Sequence, residues 1–556
     1  MRSFLIITSL SAFVVYAHPI VYISNGHSSR PLCYGLLTVL TFPPGLAPVP
    51  PRPKNRGLFG RLASLFARGT RDFSLEGPAH PLRQEHEDLL KKVASANIPA
   101  VSQPSDYDTH LHYSAFLEEM GAIDRAHFIR IQVAIDHIEK TSPWDLRIYA
   151  LHSEESDLLR KHPEWRPSNL GRIASIQFQR GFIDLFETTG TSFLEPIQDN
   201  HFRRENPTVV IPAHILTTGD LIFERIPTLR GLKLHSNTHQ LKPILDFPAT
   251  RQLTALHIAY LHLLNNQGRS EANQAAAEII AGHENLHNLR MLKFDDALGY
   301  AGMRAITVSP HLKSLEYLDV FCDPGAIPVL ARSPNMARLK TLRIRENRLG
   351  APPQAMLEIA SSLTLTNLEH LELGDFRFQH VETFANSTNL QKLKRLVLNS
   401  HLSPVELQIL MRSPHLQALQ HLEFYMGDSA ALYRQGVAIE LPSMKSLKSM
   451  SISANSVREF QIFNDLRFPK LESLKLNCTL NPQTAAILAN SPNLKQVKVL
   501  DFGFFPDKGI LETLAQSNHL SEGMIITSRH RFSTDNAKTH AAIQKLKDKG
   551  VVFTEY

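Results

Sequence analysis

From about residue 225 onward one apolar pattern returns again and again: an apolar residue, two of any kind, a second apolar residue, one of any kind, and a third. Clear copies start at Leu229, Leu253, Leu289, Leu315, Leu339, Leu368, Leu393, Leu419, Leu447, Leu471 and Val497, with a weaker one at Leu520. One copy reads Leu339-Lys-Thr-Leu-Arg-Ile, another Leu393-Lys-Arg-Leu-Val-Leu. Alternate side chains of a strand point to opposite faces, so the second and third apolar residues share one face and the residue between them takes the other. Most starts lie 24 to 29 residues apart, which leaves room for a helix between strands. The spacing predicts helices at Pro328 to Arg332, Pro353 to Ala360, Pro404 to Met411 and Thr484 to Ala489. The longer interval from Leu253 to Leu289 holds an Ala-rich helix near Ala272 to Ala281. Several helices leave through one exit, as in Arg332-Ser-Pro-Asn-Met336, Arg412-Ser-Pro-His-Leu416 and Asn490-Ser-Pro-Asn-Leu494, where proline returns the chain to extended form.

This frame at this spacing resembles the leucine-rich repeat. The asparagine that shorter repeats place after the third apolar residue occurs only at Asn237, Asn347 and Asn455, which makes the copies similar to the helix-bearing ribonuclease-inhibitor type. The resemblance implies an α/β solenoid, a curved parallel sheet backed by helices, with its concave face free for contacts. Ile173, Ile176 and Phe178 fit the frame first, as an N-terminal cap. Outward positions on the sheet include Lys233, His235, His257, Lys293, Asp295, Asp319, Asn399, Ser451, Ser453, Lys475 and Asn477. Six more, Phe321, Arg343, Arg345, Glu372, Glu423 and Tyr425, are the candidate protein-binding residues, since aromatic and arginine side chains dominate interface energies.

Ahead of the repeats, residues from about 84 to 167 have helical spacing, and with the capping strand they make up a small helical domain over 84–186. Phe128, Ile131, Ile135 and Ile138 share one face, and a second helix runs through Trp144 to Leu159 and ends near Pro163. Trp144 and Trp165 flank that helix as packing anchors, and His110 and His112 read as surface residues. The stretch Tyr113-Ser-Ala-Phe-Leu-Glu-Glu-Met-Gly-Ala-Ile-Asp-Arg-Ala-His-Phe-Ile-Arg-Ile-Gln132, with Phe178-Gln-Arg-Gly-Phe-Ile183, resembles the bacterial repeat-companion domain, a short module found ahead of leucine-rich repeats. His127 stands where that family has an acid, Phe116 where it has tryptophan, and Ser102 to Asp108 form a polar insertion. The resemblance implies no catalytic residues.

The remaining N-terminal sequence is of another kind. Residues 1–17 have a basic start, an apolar run and small residues at Val15 and Ala17, a secretory signal pattern that would place the protein outside the cytoplasm or in the envelope. Without export the protein would be cytoplasmic. Residues 18–83 hold a linker with six prolines between Pro43 and Pro53, then Gly57 to Arg68, an amphipathic segment that could lie on an anionic membrane surface. Residues 187–556 complete the chain as the solenoid.

Net charge is +6, yet residues 1 to 71 carry eight basic side chains and no acid, leaving 51 Lys and Arg against 53 Asp and Glu elsewhere. A nearly neutral body offers no electrostatic footprint for nucleic acid. Cys33, Cys322 and Cys478 are too scattered for a disulfide framework or a metal site.

His283-Glu-Asn-Leu-His287 matches the zinc-protease pattern, in which two histidines one helical turn apart hold the metal and Glu284 activates water. In the repeat frame, however, His283 stands six residues before Leu289, as Ser333 stands six before Leu339, which puts the motif in an extended helix-to-strand turn. No phosphate loop, nucleophile elbow or dinucleotide fingerprint is present, and no cofactor is expected. The sequence therefore points to a non-enzymatic scaffold for an unidentified protein partner, ahead of an envelope or membrane-surface binder and, third, a zinc metallohydrolase.

Overall fold

A computed structural model describes residues 89, 106–141, 147–165, 173–179, 182–188, 208–212, 229–235, 238–259, 266–322, 324–346, 354–374, 381–426, 445–453, 468–477, 481–503, 508–528 and 537–555. The signal-like residues 1–17, the proline-rich linker, the amphipathic segment 57–68, Trp144, Cys33, Cys478, Asn237, Asn347 and Asn455 lie outside them.

Three helices come first: α1 (Asp106–Glu119), α2 (Ile123–Thr141) and α3 (Arg147–Lys161). Gly121, with φ of +86°, makes the tight turn between α1 and α2, a conformation that costs a side-chain-bearing residue strain. Tyr113, Phe116 and Leu117 of α1 pack on Ala126, Ile129 and Val133 of α2. On the next face of α2, Phe128, Ile131 and Ile135 meet Leu158 of α3, while Trp165 stacks on His162 and lies 5.0 Å from the Phe128 ring. His127 reaches across to Glu154 at 2.7 Å. His112 is exposed, but His110 is fully buried, contrary to the surface reading: helical phase places it in line with the buried Ser114 and Leu117.

The repeats build one sheet whose strands neighbour each other in sequence order. They are β1 (Ile173–Gln179), β2 (Phe182–Thr188), β3 (Thr208–Pro212), β4 (Gly231–His235), β5 (Ala255–Ile258), β6 (Met291–Ala297), β7 (Tyr317–Cys322) and β8 (Thr341–Glu346). The remainder are β9 (His370–Leu373), β10 (Arg395–Leu402), β11 (His421–Met426), β12 (Ser449–Ser453), β13 (Ser473–Leu476), β14 (Val499–Phe502), β15 (Ile525–Ser528) and β16 (Val552–Glu555). Strands β2 to β16 run parallel, and β1 pairs antiparallel with β2 at the start. The chain is an α/β leucine-rich-repeat solenoid. Each strand from β4 to β14 begins two residues after a clear copy of the apolar frame, as at Leu339 and Thr341.

One continuous core holds the structure together. The inward residues, such as Leu342 and Ile344 of β8 and Leu396 and Leu398 of β10, are fully or almost fully buried against helix residues such as Ile359, Leu407 and Leu410. Helices therefore cover the inward face, and the intervening strand residues lie on the other.

Two devices fix the stacking. At each strand entry from β4 to β13 one carbonyl accepts two amide hydrogens from the next repeat: Lys340 O takes Glu369 N and His370 N at 2.8 and 3.0 Å. At six of the helix exits a serine hydroxyl donates to a carbonyl of the preceding repeat: Ser309 to Ala281, Ser333 to Thr307, Ser362 to Ala331, Ser387 to Ala360, Ser413 to Ala385 and Ser517 to Ala489. Several of the same hydroxyls accept from the next turn, as Ser413 does from His415 N and Leu416 N.

The weak copy at Leu520 is out of phase. Leu500 pairs with Ile526, so Leu520 occupies the helix-exit position of Leu494 and the strand follows later, with Met524 and Ile526 fully buried. Strands β3 and β16 have no counterpart among the predicted copies.

Candidate protein-binding surface

Strand register arranges the outward side chains in rows across the sheet. One row reads Lys233, His257, Lys293, Asp319, Arg343, Glu372, Val397, Glu423, Ser451, Lys475 and Asp501. The row nearer the strand entries reads Tyr317, Thr341, His370, Arg395, His421, Ser449 and Ser473.

All six candidate residues lie on this face, but four are already engaged with the chain itself. Arg345 donates through Nε and Nη2 to Asp319 at 2.8 and 2.6 Å and lies 4.3 Å over the Phe321 ring. Arg343 donates through Nε to Glu372 at 2.6 Å, and its Nη1 is 3.7 Å from Asp319. Lys293 and Tyr317 complete the ring around Asp319, which is fully buried. Burial works against the Arg343 cation, but Glu372, Tyr317 and Asp319 more than offset it and hold its pKa above the usual arginine range. Burial and the neighbouring Asp319 push Tyr317 up to about 12. One strand further, Asp295 lies 2.8 Å from His257 and 3.4 Å from Lys293. Burial raises that carboxyl, yet His257, Lys293 and Arg345 together keep it well below the usual range. The arginines therefore belong to a preformed polar network rather than standing ready and bare.

Tyr425 and Glu423 have greater freedom. Tyr425 is 41% exposed, with its ring 6.0 Å from that of His401. The sequence frame put Asn399 in that row; an irregularity after Leu398 instead pairs His401 with Tyr425. Glu423 is half-buried and has no ion pair among the described residues. Ser451 and Lys475 also differ from expectation: they sit in the outward row yet are buried, and Lys475 lies 3.6 Å from the fully buried Asp501. The open part of the face is accordingly concentrated on the strands before β12.

The zinc-like motif falls in a 3-10 turn, Glu284–Asn288, between the helix Asn266–Gly282 and β6. His283 stands at its N-cap, where Ser333 stands in the next turn but one, and accepts from Asn285 N through Nδ1 while Nε2 faces Asp246 at 3.1 Å. His287 Nδ1 is 3.1 Å from the Glu284 carbonyl oxygen. The segment is a tight turn rather than the extended run the frame suggested. Among the described residues no group of three or more His, Cys, Asp or Glu could hold a metal ion, and no helix is long and apolar enough to cross a membrane.

Two of the comparisons with known proteins return nothing: no family model matches the chain, and no curated protein is similar to it. Among solved structures, the crystal structure of the Rad7 and Elc1 complex in yeast is similar over 57% of this chain and 79% of that one, at 14% identity and a TM-score of 0.29. Likeness of that degree says nothing about function, and the solenoid rests on its own strand order and core.

Proposed function

We propose that the chain is a non-enzymatic protein-interaction scaffold that takes its partner on the concave, strand-lined face. The observation that carries this reading is the exposed ring of Tyr425, an aromatic in an open stretch of a sheet face whose arginines at Arg343 and Arg345 are paired internally. Further along the same face Asp319 holds Arg345 in one pose over Phe321, so little side-chain freedom is lost there when a partner arrives. Helices α1 to α3 with the β1–β2 hairpin form the repeat-companion domain of a bacterial protein in this reading.

Affinity capture followed by mass spectrometry tests the proposal. Tyr425→Ala removes the captured partner, while Leu363→Ser, at an 86% exposed residue in a helix-side turn, leaves it in place. Equal capture by both variants moves the binding surface elsewhere.

A further inference from the structure

Opposite charges alternate along the row of residues at the strand entries. Glu316 pairs with Arg290 and Lys340 at 2.7 and 2.8 Å, Glu369 with Lys394 at 2.7 Å, and Glu472 with Lys498 at 3.1 Å. The alternation fails at β11, where Gln420 takes the place of an acid. Lys448, the next residue in the row, is exposed, and its ammonium has no ion pair or hydrogen bond among the described residues. One row further in, Arg395 repeats the omission. Arg343 has Glu372, but Arg395 has no carboxylate at ion-pair distance, and its enclosed Nε has no hydrogen-bond partner. Part of the Arg395 side chain nonetheless stays accessible.

His370 and His421 flank Arg395 on the neighbouring strands. The Nε2 of His370 is likewise enclosed and unpartnered. Burial, with the Arg395 cation beside both rings, pushes His421 down to about 4 and His370 well below the usual histidine range. Two cations without a carboxylate at ion-pair distance and two neutral rings thus gather on β9 to β12, with Gln420 in place of an acid.

We propose that this cluster binds a carboxylate of an acidic peptide segment, with Arg395 and Lys448 as its cationic ligands. The site deepens the scaffold reading and rests on it, because it names the chemistry of the partner. An arginine fork matches a carboxylate with two parallel hydrogen bonds. Glu423 and Glu372 temper Arg395 from the next row, so the site suits one negative charge better than the two of a phosphate. His421 and Tyr425 lie four residues apart on the same face of β11, about 13 Å at 3.3 Å per residue. An extended peptide of about four residues therefore reaches from the cationic cluster to the exposed ring.

Fluorescence anisotropy of the full chain with labelled hexaglutamate, made with a free and with an amidated C-terminus, tests the site. Hexaglutamate binds, and Arg395→Gln or Lys448→Gln weakens it tenfold or more; Lys498→Gln, the removal of a paired cation from the same ladder, changes little. Equal binding of the two forms assigns the carboxylate to side chains, and preference for the free form assigns it to a chain terminus. Lys448→Gln alters an exposed residue and keeps the test valid if the Arg395 variant misfolds. Hexaglutamine binding as tightly as hexaglutamate overturns the proposal, and so does hexaglutamate binding that survives both substitutions, or a matched phosphoserine peptide that binds more tightly. Partner capture that survives Arg395→Gln and Lys448→Gln but not Tyr425→Ala would remove this site while leaving the scaffold reading intact.

Discussion

Arg345 lies over Phe321, 4.3 Å from the ring centre, while two of its nitrogens bind Asp319. A single carboxylate therefore sets the pose of an aromatic and a cation on the face proposed for binding. Removing one partner of such a buried cluster leaves the others uncompensated. Asp319→Ala should cost about 3 kcal/mol, less than a wholly buried pair because Lys293, Arg343 and Arg345 all keep some water contact. Urea unfolding of the variant checks the figure; a midpoint equal to wild type would contradict the network's role.

The serine ladder makes a second prediction. Ser413→Ala removes the donor to Ala385 O and the acceptor for His415 N and Leu416 N in one change. A loss of about 1–2 kcal/mol follows from the lost cap and the buried carbonyl left unpaired. Ser413→Thr, which retains the hydroxyl, should recover part of that loss in the same unfolding assay.

Acid should weaken the solenoid through the β9–β11 histidines. In the unfolded chain His421 titrates near 6.5, whereas burial and the cations Arg395 and Lys448 bring it to about 4 in the folded protein. The unfolded state therefore binds the extra proton between those values, so this contribution is fully present above pH 6.5 and is lost as pH falls toward 4. The swing is on the order of 3 kcal/mol for His421, and His370 acts in the same direction. His421→Ser, which borrows the residue of β12 at that position, should flatten the dependence between pH 7.5 and pH 5. An unchanged slope would show that the ring is not responsible.

His283 should behave as a turn cap. Replacement by serine, the residue at the equivalent place in Ser333 and Ser413, should change stability by no more than about 0.5 kcal/mol. Elemental analysis of the purified chain should find no stoichiometric zinc that depends on His283; bound zinc lost on His283→Ala would revive the hydrolase alternative.

Much of the fold could be read from apolar spacing because each inward pair, such as Leu342 and Ile344, has nowhere to be buried except against its neighbours. Phase was lost where that signal weakens: Leu520 is as apolar as a strand residue but belongs to a turn, since Leu494 and Leu520 occupy the same position in successive repeats. The serine ladder carried a visible trace, an alanine two positions before four of its six serines, as in Ala331 with Ser333 and Ala360 with Ser362. Its meaning needed the carbonyl of the previous repeat to be located. Outward direction was equally legible for Arg343 and Tyr425, but freedom was not. Whether a side chain is spoken for depends on partners about 26 residues away, such as Asp319 for Arg345, and on irregularities like the one that brings His401 beside Tyr425.

The ladder also bears on how such a chain can grow. Every serine rung supplies its own hydroxyl and asks only for a main-chain oxygen, a group that any preceding copy offers regardless of side chain. A duplicated segment inserted between two existing ones would thus arrive with both halves of its joint, one to give and one to receive. At this seam lengthening the array requires no matched side chain, and the surface displayed on the strands can diverge while the seam stays the same.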